Sequence, residues 1–105
     1  MTHLSLTPSE SKLIDGVDDH FTDMLSTVET WSAQNSGSHN REGLIAMRGL
    51  LAERFSDLPG DVTEVALPKG EYVGKNGAVE SVAYEPALKV TVRPDAQVQL
   101  VLTGP

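Results

Sequence analysis

Cysteine is absent from the 105 residues, and that single absence removes disulfide bonds, thiolate zinc sites and cysteine nucleophiles together. Basic side chains are scarce: 8 Lys and Arg stand against 15 Asp and Glu, a formal charge of −7. Nucleic acid and anionic membrane both require concentrated Lys and Arg to balance phosphate, so neither is expected as a partner. No run approaches the ~18 apolar residues of a membrane span. The stretch from Met1 to Ser11 has neither the basic start nor the apolar block of a secretory leader, so a cytoplasmic protein is expected. Internal repeats and low-complexity segments are also missing.

What is present suits one small α/β domain. A length of 105 residues allows a single compact domain or a piece of a larger one. Hydrophobic residues make up 39% of the chain, which is enough for one core and too much for a disordered tail. A chain of this size buries only roughly two-thirds of its unfolded surface, so its stability is modest without a partner.

The first element begins at Thr7-Pro8-Ser9-Glu10. Thr7 can cap a helix, Pro8 suits its first position, and Glu10 can reach back to complete a capping box. Leu13, Ile14, Val17, Phe21, Met24, Leu25, Val28 and Trp31 then recur at three- and four-residue spacing, which predicts one apolar stripe along a single helix of about seven turns. Asp15, Asp18, Asp19 and Asp23 fall mainly on its other side. With six acids and one Lys, the segment up to Trp31 carries −5 of the net charge. The polar stretch Gln34 to Asn40 breaks the helix. Asn40 is a candidate cap for a second helix, whose stripe is Leu44, Ile45, Met47, Leu50, Leu51 and Phe55 and whose stop is Asp57-Leu58-Pro59-Gly60.

After Gly60 the apolar period changes from helical to alternating. Thr63, Val65 and Leu67 share one face of a predicted strand, with Val62, Glu64 and Ala66 on the other, until Pro68 ends it. Two short β-prone runs flank Lys75-Asn76-Gly77, a hairpin signal. Leu88, Val90 and Val92 alternate, Arg93-Pro94-Asp95-Ala96 turns, and Val98 to Leu102 predicts a final strand buried on both faces. The expected fold class is therefore α/β: two N-terminal helices followed by strands of a mixed sheet, within one domain over residues 1–105.

Few residues combine into chemistry. His3, His20 and His39 lie in a tail, on a helix and in a loop, with no two at a metal-ligand spacing. His20 with Asp19 and Asp23 could make a weak surface metal site, although charged helix faces are ordinarily just solvated. Gly70 to Asn76 is one residue short of a phosphate loop and has Asn76 where Ser or Thr would bind magnesium, so the hairpin reading is preferred. Ser36 and Ser38 stand near His39, but neighbours within one loop do not assemble a nucleophile, a base and an orienting acid. Trp31, at the helical spacing, reads as core.

Two segments carry a resemblance. Asn35-Ser36-Gly37-Ser38-His39-Asn40-Arg41-Glu42-Gly43 resembles the first-loop pattern of the dizinc metallopeptidases and amidohydrolases that include glutamate carboxypeptidase, acetylornithine deacetylase and succinyl-diaminopimelate desuccinylase. Val98-Gln99-Leu100-Val101-Leu102-Thr103-Gly104 resembles the strand that delivers the family's first metal ligand. The likeness runs from about Leu13 onward. It implies a full-length cytoplasmic hydrolase that uses two zinc ions to activate water against peptide or N-acyl amino acid amides, with the present chain as the N-terminal part of its catalytic domain. In the family the Gly is followed by His, one residue and Asp; Pro105 stands where that His is expected. No position here is therefore assigned a catalytic, cofactor-binding or metal-binding role, and no cofactor is expected in this chain alone. The implied partners are the rest of the catalytic domain and, through sheet edges, a second copy of the chain. The alternative is a small stand-alone α/β interaction domain without enzymatic activity.

Overall fold

A computed structural model describes residues 4–104 and divides the chain between Gln34 and Asn35 into two compact units. His3 and Pro105 lie outside the described residues.

The first unit is helical. Helix α1 (Pro8–Asp19) opens on the predicted capping box. The Thr7 hydroxyl accepts from the Glu10 amide at 3.3 Å, and the Glu10 carboxylate accepts from the Thr7 amide at 2.7 Å. Hydrogen bonding from the Thr7 amide first, and from the Thr7 side chain after it, holds the Glu10 carboxyl below its ordinary range. The single long helix expected from the apolar stripe is corrected here: α1 ends at His20, whose φ of −97° and ψ of 4° leave the helical region, and α2 (Phe21–Ser32) starts anew. The local charges explain the break. Asp18 and Asp19 place negative charge on the carbonyl end of α1, with no basic residue in its last turn, whereas Asp23 sits favourably in the first turn of α2. The stretch Gly16 to Thr22 is also made of weak helix formers throughout. Across the break the stripe stays largely in water, with Leu13, Phe21 and Val28 each more than half exposed.

The second unit is α3 (Arg41–Phe55) followed by β1 (Asp61–Val65), β2 (Gly70–Val73), β3 (Val79–Val82) and β4 (Ala87–Thr91). In place of one mixed sheet there are two antiparallel pairs, β1 with β4 and β2 with β3, and no parallel pairing among the described residues. Val62 faces Val90 and Glu64 faces Leu88 in the first pair. Leu44, Met47, Leu51 and Phe55 of α3 are half-buried, as are Leu88 and Val90, so the predicted alternation selects the covered face of β4; in β1 the half-buried residue is Val62, while Val65 and Leu67 of the opposite predicted face stay exposed. No hydrophobic side chain reaches full burial among the described residues. The β2–β3 hairpin closes on three residues: the Gly74 amide donates to the Ala78 carbonyl, the Gly77 amide donates to the Gly74 carbonyl, and Gly77 takes a φ of +78° that suits glycine.

The predicted final strand is the second correction. Val98 to Leu102 forms no strand, and Val98, Leu100, Val101 and Leu102 are 79–96% exposed. A strand exists only by pairing, and here the turn before it is tied differently. The Ala96 amide closes onto the Arg93 carbonyl, and the Gln99 carboxamide donates to the carbonyls of Arg93, Pro94 and Ala96 at 3.2, 3.1 and 2.7 Å. These bonds hold the segment on its own turn and off the edge of β4.

Candidate functional site

A connected set of hydrogen bonds lies at the start of α3 and is built from the loop that carries the first-loop pattern. Asn35 accepts the Gly37 amide on its side chain at 3.1 Å, and its main-chain carbonyl accepts from the Asn40 carboxamide at 3.1 Å. Asn40 also caps α3, taking the Gly43 amide on its Oδ1 at 3.0 Å. Gly43 is the one fully buried residue among those described, and a Cβ there would run into the Asn35 carbonyl and the Asn40 carboxamide. Asn35, Asn40 and Gly43 thus form an interlocked turn.

Arg41, the first residue of α3, and Arg48 are seven residues apart and lie on one side of the helix. Both reach Glu85, Arg41 at 2.6 Å and Arg48 at 2.9 Å, and Arg48 also reaches Glu64 of β1 at 3.2 Å. The Glu85 side chain is only 16% exposed, and its carboxyl is held below the ordinary range by hydrogen bonds first from Arg41 and then from Arg48. Two cations and two anions here sum to zero. A carboxylate already occupied by two guanidinium groups is a poor base, so the cluster ties α3 to β1 and to the segment before β4 without offering proton chemistry. Sequence reading missed this cluster. The seven-residue spacing of Arg41 and Arg48 was visible, but Glu85 is 37 and 44 residues away in sequence.

His39 stands beside Tyr72 with ring centroids 6.0 Å apart, and the Tyr72 hydroxyl donates to the Glu80 carboxylate at 2.6 Å. Hydrogen bonding to that anion and its charge push the Tyr72 phenol above its ordinary pKa. Tyr72, Gly74, Lys75, Asn76 and Glu80 line an open depression of about 400 Å³ on the hairpin. Gly70 to Asn76 thus forms hairpin, as preferred over a phosphate loop. Ser36 and Ser38 make no hydrogen bond to His39. His20 joins α1 to α2 beside Asp19, and Trp31 is half-buried on α2.

Among the described residues no three His, Asp or Glu side chains are grouped so as to hold a metal ion. No described helix is long and apolar enough to cross a membrane. Neither a protein-family model, nor a curated protein, nor a solved structure matches the chain.

Proposed function

We propose that this chain is the N-terminal segment of the catalytic domain of a dizinc metallopeptidase or amidohydrolase, in which the full protein hydrolyses peptide or N-acyl amino acid amides and this segment supplies scaffold. The observation that carries the reading is the interlocked turn of Asn35, Asn40 and Gly43. The residues of the first-loop pattern have mutually dependent structural roles, and that gives the pattern more weight than its composition alone. Support also comes from the element order of two consecutive helices, polar loop, helix and strands, and from the apolar composition of the run that precedes Thr103-Gly104. In this reading the metal ligands and the catalytic base lie outside the described residues, and the segment's partner is the rest of that domain.

The test is the genomic reading frame. The expected result is continuation for a few hundred residues, with an Asp two positions after Pro105 and a Glu-Glu pair further on. A stop codon directly after Pro105 overturns the reading in favour of a small interaction domain without enzymatic activity.

A further inference from the structure

Asparagine occurs at positions 35, 40 and 76, and the fold holds the third differently from the other two. Asn40 is tied at both ends of its carboxamide, its Oδ1 to the Gly43 amide and its Nδ2 to the Asn35 carbonyl, and the next residue is Arg41, the first of α3. Asn35 takes the Gly37 amide on its Oδ1 and is followed by Ser36, whose side chain stands beside the next backbone amide. Asn76 is exposed on the turn of the β2–β3 hairpin and is followed by Gly77. Its Oδ1 accepts the Ala78 amide at 3.0 Å, and its Nδ2 makes no hydrogen bond among the described residues. Apart from chain neighbours, no described heavy atom lies within 4 Å of where a Cβ on Gly77 would stand, so the way to the Gly77 amide is open.

We propose that Asn76 is a site of spontaneous deamidation, with the Gly77 backbone nitrogen as nucleophile and water as the co-reactant. The Gly77 amide loses its proton to solvent base, its nitrogen bonds to Asn76 Cγ, and the Cγ–Nδ2 bond breaks as Nδ2 gains a proton and leaves as ammonia. The product is a five-membered cyclic imide. Water then adds to one of its two carbonyl carbons. Breaking the new N–Cγ bond gives Asp, and breaking the original peptide bond gives isoaspartate, in which the chain runs through the side chain; in each case the Gly77 nitrogen takes back a proton. The Ala78 amide already sits on Oδ1, where the attack places negative charge. One bond restrains the nucleophile: the Gly77 amide donates to the Gly74 carbonyl at 2.9 Å and must let go first. That release is local, because β2 and β3 pair over four residues each with no third strand beside them, and a two-stranded hairpin is marginally stable in water. Either product adds one negative charge to the formal −7 and puts a carboxylate into the depression beside Lys75 and Glu80. This inference does not rest on the amidohydrolase reading, and its test is independent of the downstream frame.

The full chain is incubated at neutral and at mildly alkaline pH, with released ammonia measured and proteolytic digests mapped by mass spectrometry. The expected result is conversion of the peptide holding Asn76 to Asp and isoaspartyl forms, faster at the higher pH because the amide must lose its proton, while the peptides holding Asn35 and Asn40 stay unchanged. Asn76→Gln would have to close a larger ring and is expected to lose the ammonia release. Should that variant not fold, the peptide map of the unaltered chain decides alone. A free Lys-Asn-Gly-Ala peptide sets the time scale. Asn76 still intact when that peptide has fully converted, conversion at Asn35 or Asn40 as fast as at Asn76, or ammonia release unchanged in Asn76→Gln overturns the inference.

Discussion

Glu85 illustrates how much of the second unit depends on single charges. With two guanidinium groups on one carboxylate and no fully buried apolar side chain nearby, the fixing of α3 relies on ionised groups more than in an ordinary core. The consequence is a stability profile that narrows at both ends of the pH scale. The Glu85 pKa is lower folded than unfolded, so its contribution is complete above the ordinary Glu value of about 4.3 and is lost as pH falls through the folded value. The Tyr72 pKa is higher folded than unfolded, so its contribution is complete below the ordinary value of about 10 and is lost as pH rises through the folded value. Thermal melts across pH should show both limbs. Glu85→Gln should make the acid limb shallower, leaving the part that Glu10 carries, and Tyr72→Phe should flatten the alkaline one; a limb left unchanged by its own substitution refutes the assignment. Asn40 was legible as a cap because capping is local chemistry, whereas the role of Glu85 was not, because its partners come from another stretch of chain.

The elements divide in the same way. The starts of α1 and α3 were readable, since Thr7 with Glu10 and Asn40 with Gly43 act within one turn. The break at His20 was missed because an apolar stripe reports which face is covered and not whether the backbone is continuous. The turn at the start of α3 yields a prediction. Asn40→Ala removes a side-chain cap and should cost about 1 kcal/mol. Gly43→Ala should cost more, because the added methyl meets the Asn35 carbonyl and the Asn40 side chain as well. Amide exchange across Arg41 to Phe55 checks this. Equal protection in both variants and the parent would show that the turn does not hold the helix.

Across the whole molecule the described histidines stay apart from one another. His20 sits between two helices and His39 in a loop beside Tyr72, and no three potential ligands converge among the described residues. The chain should therefore give a flat isotherm when titrated with zinc at neutral pH and no turnover of peptide or N-acyl amino acid substrates. One tight site, or zinc-dependent hydrolysis above the blank, would sink that prediction and would place ligands where none were assigned.

By itself the sequence determined the mixed helix and strand content, the caps of α1 and α3, the Asn76-Gly77 hairpin and the covered face of β4. Each of these follows from chemistry acting within a few residues: a hydroxyl or carboxamide reaching an amide in the same turn, a glycine reaching positive φ, or side chains alternating along an extended backbone. Only the tertiary structure decided that the sheet is two separate antiparallel pairs, that Glu85 gathers Arg41 and Arg48, and that Val98 to Leu102 stays unpaired. Those outcomes rest on which distant segment arrives as a neighbour. A strand's apolar pattern states that it needs a ladder and cover, and it is the folded chain that either supplies them or leaves the edge open.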